Sequence, residues 1–277
     1  MKQEIVRDER LGEEYLRVEH PSGLTMLLYP MKGFSTSFAM FSTKYGSTDT
    51  CFKTDEDEDF VSVPAGVAHY LEHKMFESED GDAFERYAKT GASANAFTSF
   101  DKTSYLFAGS DQFRQSIEIL LDFVTDPYFT PETVEKEQGI ISQEIRMYDD
   151  DPGWRVMFNL LESLYQNNSV KIDIAGTTES IAKIDAPLLY RCYHTFYNLN
   201  NMLLTVAGNF EPSDVLEAAD RILKKAEPFS VERKTVPEPL DVVRKRVDQH
   251  LPVATPMFYI GFKGPDHGER DNFCNMI

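Results

Sequence analysis

Cysteine, tryptophan and positive charge are scarce in this 277-residue chain, which has three Cys, one Trp and 28 Lys plus Arg against 46 Asp plus Glu. Cys51, Cys192 and Cys274 are widely separated, odd in number and in no metal-like spacing. That argues against a disulfide framework and makes a reducing, cytoplasmic setting the expectation. The formal charge of −18 argues against nucleic acid, whose phosphates need Lys and Arg to displace counterions, and against anionic lipid surfaces. Long apolar runs are missing as well. The longest, around Met202–Ala207, is far short of the ~20 residues a membrane span needs. The charged stretch Met1–Tyr15 lacks the apolar segment of a secretory signal. No G-x-S-x-G, phosphate loop or G-x-G-x-x-G occurs, so serine-hydrolase and nucleotide chemistry have no foothold.

What the chain does hold is core material, 42% hydrophobic and 12% aromatic residues, which argues against disorder as its dominant state. The patterning predicts strands over Gly23–Tyr29 and Phe34–Thr43, with a turn between them. A helix from about Ala65 to Phe76 is opened by Pro64, and a short one over Ala83–Thr90 is stopped by Gly91. Ser93–Gly109 reads as one or two strands. Helical spacing follows over Asp111–Val124, Pro131–Tyr148, Trp154–Tyr165, Pro187–Tyr197 and Pro212–Lys225, with a strand at Met202–Asn209. Irregular alternation with adjacent strand pairs gives an α+β class, a mixed or antiparallel sheet flanked by helices. Residues 226–248, with Pro228, Pro237 and Pro239 among charges, read as a linker. Pro256–Phe262 begins a new strand and Asp271–Ile277 opens a helix. The expected organisation is a domain over 1–225, a linker over 226–248 and the start of a second domain over 249–277.

The informative string is Gly66-Val67-Ala68-His69-Tyr70-Leu71-Glu72-His73-Lys74-Met75-Phe76. On a helix His69, Glu72 and His73 share one face, while Val67, Leu71 and Met75 fall opposite and can anchor it in a core. Two imidazoles one turn apart form a clamp for Zn²⁺, and a carboxylate on the same face can reach a water at the metal. The order H-x-x-E-H is the inverted zincin signature; the alternative is a helix with two surface histidines. A catalytic zinc also needs a third ligand. On the helix 131–148, Ile140, Ile141, Glu144 and Tyr148 all fall within about 60° of Glu137. Two carboxylates in an apolar stripe are costly unless paired or bound to metal. A metal site or a buried ion pair would account for them.

These residues resemble the pitrilysin/insulinase family of zinc metallopeptidases, which includes mitochondrial processing peptidase. The likeness continues at Gly91-Ala92-Ser93-Ala94-Asn95-Ala96-Phe97-Thr98, similar to the family's G-x-x-x-N-A-x-T strand. It extends through Asp126-Pro127, Glu137-Gln138-Gly139-Ile140-Ile141-Ser142-Gln143-Glu144, Gly176-Thr177 and Asn201-Met202…Gly208, over roughly residues 15–225. The run from Gln143 to Pro152 looks closest to the bacterial cytoplasmic branch of short, two-half members. The resemblance implies the family's half-subunit fold and roles for single residues. His69, His73 and Glu144 would be zinc ligands, Glu72 the general base, and Glu137 an orienting group behind the ligands. Asn95, Ala96 and Phe97 would lie on an edge strand that pairs with an extended peptide substrate. The sequence departs from the family at Glu77-Ser78 after Phe76, where Gly-Thr is frequent, and in Asn167–Ile172, which lacks the usual His-Pro-Tyr.

The resemblance also implies a partner, either a second half-domain or a homologous subunit supplying an Arg and a Tyr to the substrate. The chain is expected to be an amino-terminal half plus a stub that binds zinc and cleaves poorly, or not at all, alone. The expected activity is zinc-dependent endopeptidase action on peptides or unfolded segments; the alternative is a noncatalytic partner subunit on the same fold. His20, His194, His250 and His267 lack partners at ligand spacing, and Trp154 is expected in the core. The acidic runs Asp55–Asp59 and Glu77–Asp82 bracket the motif helix, either as solvated loops or as a negative field favouring basic or polar peptides.

Overall fold

Alternating polarity over short stretches builds the centre of the molecule, a seven-stranded mixed sheet, in the computed structural model, which describes residues 1–79, 81–228 and 230–264. The chain runs through β1 (Lys2–Asp8), β2 (Glu13–Glu19), β3 (Thr25–Pro30), β4 (Ser37–Thr43), β5 (Cys51–Thr54) and β6 (Val61–Ser62). It then forms α1 (Val67–Lys74), the small hairpin β7 (Glu77–Ser78) and β8 (Gly81–Asp82), and α2 (Ala83–Thr90). β9 (Ser93–Thr98), β10 (Thr103–Gly109) and α3 (Phe113–Thr125) follow. The helices α4 (Pro131–Asp149), α5 (Pro152–Leu164), α6 (Thr178–Ile181) and α7 (Ala186–Phe196) precede β11 (Met202–Gly208), α8 (Pro212–Ile222) and β12 (Val231–Arg233). The class is the α+β arrangement expected.

The sheet order is β1-β2-β3-β11-β4-β10-β9. β11 runs parallel to β3, pairing Leu203 with Thr25, and antiparallel to β4, pairing Leu204 with Phe41. One face supplies the core. Met26, Leu28, Phe41, Tyr105, Leu204 and Val206 are fully buried there, together with Ile117, Leu120 and Val124 of α3 and Leu71 of α1. Full burial of each such aliphatic side chain is worth roughly 1.5–3 kcal/mol. The opposite face is more open, with Phe38 and Phe97 each 38% exposed. β9 forms one edge of this sheet, beside α1.

Past α8 the chain is not a free linker throughout. β12 pairs antiparallel with β5, and Arg233 donates to Asp49 Oδ1 at 2.5 Å and to the Lys44 carbonyl at 2.5 Å. Further on, the Glu238 carboxylate accepts the N–H groups of Gln166 (2.8 Å), Asn167 (2.7 Å) and Asn168 (2.7 Å) and pairs with Lys263. Residues 256–262, expected to begin a strand, have no ladder partner among the described residues. Their neighbour is α5: a Cβ on Gly261 would come 2.8 Å from Leu164 Cδ1. A helix bonds its own backbone and offers no row of N–H and C=O groups for a strand to pair with. The helix expected at 271–277 lies outside the described residues. No described helix is long and apolar enough to cross a membrane.

Candidate metal centre

The helix carrying the two histidines begins at a place with no room for a side chain. Gly66, at φ 93°, precedes α1, and a Cβ there would come 2.5 Å from the Ala175 carbonyl oxygen. Gly176, at φ 76°, mirrors it, with a Cβ falling 2.6 Å from the Ala65 oxygen. Both positive φ values favour glycine, and here the close approach of two backbones also requires it. From this seam α1 runs with Val67, Leu71 and the following Met75 buried, as the spacing predicts, and Tyr70 is buried with them. Tyr70 donates its hydroxyl to the Val134 carbonyl and so ties α1 directly to α4.

α4 starts at a capping box, Thr130 with Thr133, and Pro131 in its first turn. Its buried residues are Val134, Ile141 and Ile145, which at about 100° per residue centre the core-facing stripe some 60° away from Glu137. The carboxylates therefore stand on the rim of that stripe rather than in its middle. Ile140, grouped with them by spacing, lies on the far side of the rim and is 46% exposed.

Where α4 passes α1 the predicted residues meet. His69, His73 and Glu144 bring one ligand atom each within 4.8 Å of one another. His73 Nε2 is 3.2 Å from Glu144 Oε2, and His69 Nε2 is 3.8 Å from Glu144 Oε1. The two imidazole centroids are 4.6 Å apart. Glu137 sits behind His73, with Oε1 2.9 Å from Nδ1. Glu72 is turned the other way along the same face, its Oε2 accepting the Thr98 hydroxyl at 2.6 Å. No other group of three metal-ligating side chains converges in this way among the described residues.

Burial and neighbours separate the titration behaviour of these groups. Burial, with His73 alongside, pulls His69 down to about 4, so its imidazole is neutral at neutral pH. Burial also pulls on His73, but hydrogen bonds with Glu137 and Glu144 outweigh it and carry that ring upward. The hydrogen bond from His73 holds Glu144 well below the usual carboxylate range. Burial raises Glu72, against the opposing effect of Thr98.

Of the residues expected to meet substrate, Asn95, Ala96 and Phe97 lie on β9, the edge strand that ends at Thr98 beside Glu72. Asn95 Oδ1 accepts the Ala96 N–H at 2.8 Å. Within the acidic run 77–82, Glu77 pairs with Asp82 and Ser78 with Gly81 in the β7–β8 hairpin directly after α1. His20 is buried and satisfied by Ser22 and Asp220, as a histidine without ligand partners should be.

Sequence reasoning assigned no role at this centre to three groups that the structure places there. Thr98, the final residue of the strand motif, holds Glu72. Tyr148 donates its hydroxyl to Glu144 Oε1 at 2.7 Å. Trp154 is half-buried, stacked on Tyr148 at 4.6 Å and 18°. The signal for Tyr148 was its spacing, four residues past Glu144 and one helical turn away.

The sequence matches two models of a known peptidase family: Insulinase (Peptidase family M16) over residues 62–178, and Peptidase M16 inactive domain over 183–277. A 45% identity over 259 residues relates it to the uncharacterized zinc protease YmfH of Bacillus subtilis strain 168, covering 92% of this chain and 60% of that protein. An M16-like peptidase crystal structure from Alicyclobacillus acidocaldarius superposes with a TM-score of 0.81 at 39% identity, covering 91% of this chain and 57% of that one. A protease from Helicobacter pylori has the same fold at 20% identity, with a TM-score of 0.69 over 86% of this chain and 55% of that one. The chain thus spans 60% of the length of the Bacillus protein and 57% and 55% of the two solved chains. With the sheet, the converging side chains and these matches together, the chain belongs to the insulinase family of peptidases, M16.

Proposed function

We propose that this chain carries the zinc-binding, catalytic part of an endopeptidase that hydrolyses peptides or unfolded polypeptide segments. The observation that supports it best is the convergence of His69, His73 and Glu144 within 4.8 Å, with Glu72 on the same helix face as the two histidines. The donor set suits zinc, because two imidazoles and a carboxylate make three protein ligands and leave a position open. Glu137 behind His73 Nδ1 supplies the outer partner that ligating histidines ordinarily have, fixing ring orientation and tautomer. When bound, zinc would supply Lewis-acid polarisation of the scissile carbonyl and a more acidic water.

The chain's own residues would do the rest. Thr98 fixes one oxygen of Glu72, which leaves Oε1 to take a proton from the attacking water and return it to the leaving amine. β9 would align an extended substrate by main-chain pairing along Asn95, Ala96 and Phe97. Pairing at Ala96 would exchange its N–H from the Asn95 carboxamide to the substrate carbonyl. A second half-domain or homologous subunit would close the site from the far side. The widely spaced thiols favour a cytoplasmic setting.

Metal content and cleavage together test this. The full-length protein purified without chelator should hold about one zinc per chain, and under about half an equivalent would argue against the site. Glu72→Gln should keep the metal and lose peptide cleavage by roughly 10²–10⁴-fold. Equal cleavage by that variant would refute the proposed base. Bound zinc without any cleavage by the wild type would favour the noncatalytic partner reading instead.

A further inference from the structure

Glu144 differs from the two histidines in how it is held. Both histidines project from α1, His73 with Glu137 on its Nδ1, whereas Glu144 comes from the rim of α4, its side chain 21% exposed beside 9% for His69 and 24% for His73. A carboxylate in that position has several rotamers open to it. Its contacts are His73 Nε2, His69 Nε2 and the Tyr148 hydroxyl at 2.7 Å. Only the last lies outside the candidate ligands, and it takes one oxygen, Oε1.

Tyr148 is in turn held from behind. Its ring stacks on Trp154, whose own N–H is bonded to Asp151 Oδ1 at 2.6 Å where α5 begins. The indole Nε1 donates to Asp173 Oδ2 at 2.5 Å. Asp173 also organises its own loop, with Oδ1 accepting the Ala175 N–H at 3.0 Å and its carbonyl accepting the Gly176 N–H at 2.9 Å. That loop is the one whose Ala175 and Gly176 lie against Ala65 and Gly66, one turn before His69. Ser180 adds a hydrogen bond to the Ala65 carbonyl at 2.8 Å. One loop therefore reaches both helices, α1 through a backbone seam and Glu144 through the Trp154 indole and the Tyr148 phenol.

We infer that Tyr148 is a positioning residue for Glu144, and that Trp154 and the Asp173–Gly176 loop brace it, fixing Glu144 relative to the histidines of α1. The inference rests on the zinc reading given above. Tyr148 fixes Oε1, which leaves Oε2 directed toward His73 Nε2. The aromatic pair does this at low entropic cost, since a stacked Tyr has only two side-chain torsions to lose.

The test reads zinc affinity of the chain by competition with a chromophoric chelator, with the thermal midpoint of the metal-free protein as the control for folding. Tyr148→Phe keeps the stacked ring and removes the hydroxyl. It should weaken zinc binding about 10-fold, the low end of the range for outer partners of metal ligands, at an unchanged metal-free midpoint. Glu144→Gln should weaken binding more. Because Tyr148 acts through Glu144, adding Tyr148→Phe to Glu144→Gln should cause no further loss. Trp154→Leu, which removes the stacking ring, should weaken zinc in the same direction as Tyr148→Phe. If Tyr148→Phe binds like the wild type while Glu144→Gln is weak, the positioning role is overturned and the zinc reading stands. If the two substitutions add, Tyr148 does not act through Glu144 and the inference is likewise overturned. A wild-type affinity in Trp154→Leu overturns the brace. If Glu144→Gln itself binds like the wild type, the ligand assignment fails and the inference falls with it.

Discussion

His73 stands between two carboxylates, Glu137 at 2.9 Å on one nitrogen and Glu144 at 3.2 Å on the other, and that placement sets how the centre would respond to metal. Replacing Glu137 by Gln should leave the fold intact and weaken zinc roughly 10–100-fold, measured by chelator competition, because the outer partner raises ligand basicity. The proton count has a definite sign. Its carboxylate neighbours carry His73 upward, so in the absence of metal its ring is protonated at neutral pH. Ligation requires the neutral ring, so zinc uptake near neutrality should release a proton and affinity should fall about tenfold per unit as pH drops. His69, neutral above about 4, contributes no proton there. Calorimetry in buffers of different ionisation enthalpy counts the protons; no release at pH 7 would contradict this description of His73.

The rim geometry of α4 separates residues that spacing alone groups together. Ile141 is fully buried and Ile140 is 46% exposed, although both lie near Glu137 on a helical projection. Ile141→Ala should cost about 2–5 kcal/mol of unfolding free energy. Ile140→Ala should stay within about 0.5 kcal/mol, both read from denaturant titrations. The same helix shows what the sequence reveals and what it hides. Periodicity locates α1, α3 and α4 to within a few residues, because each buries a continuous apolar stripe. His69, His73, Glu137 and Glu144 are legible because spacing along a helix fixes which side chains share a face. Thr98, Trp154 and Asp173 are not, since their contacts join separate elements and no local spacing encodes them. The β1–β2 hairpin also escapes sequence patterning. Its residues are largely exposed on both faces, apart from Val18 at the end of β2, so no alternation marks it.

For the whole molecule, the segment after α8 is attached at several points rather than left as a tether. Arg233 and Glu238 are two of them, and the Ser163 carbonyl, which accepts the N–H groups of Val243 and Arg244, is another. Burial pushes the Glu238 carboxyl up, but Lys263 and the three successive N–H groups at 166–168 outweigh it and hold it down at about 2. Because the bound value is depressed, this attachment is fully present above the ordinary carboxyl value and is lost as pH falls toward about 2. Between pH 6 and 8 it should not vary. Glu238→Gln should speed proteolytic cutting within 234–264 relative to the domain at neutral pH. Unchanged cutting would mean that Arg233, the bonds of Val243 and Arg244 to the Ser163 carbonyl, and the apolar contacts with α5 suffice.

The sheet order carries one more consequence, for how the chain reaches its folded form. β3 and β4 follow each other in sequence but do not pair; β11 lies between them, joined to both. During synthesis the chain must pass residue 202 before the two parts of the sheet can be joined. Until then each presents an unpaired edge, and Leu204 and Val206 are missing from the core. Long-range pairing of this kind is slow, and exposed strand edges are the sites at which nascent chains associate wrongly. Chains ending before β11 should therefore aggregate where chains extending past α8 do not, which places the vulnerable moment of this protein's life on the ribosome, before its last central strand emerges.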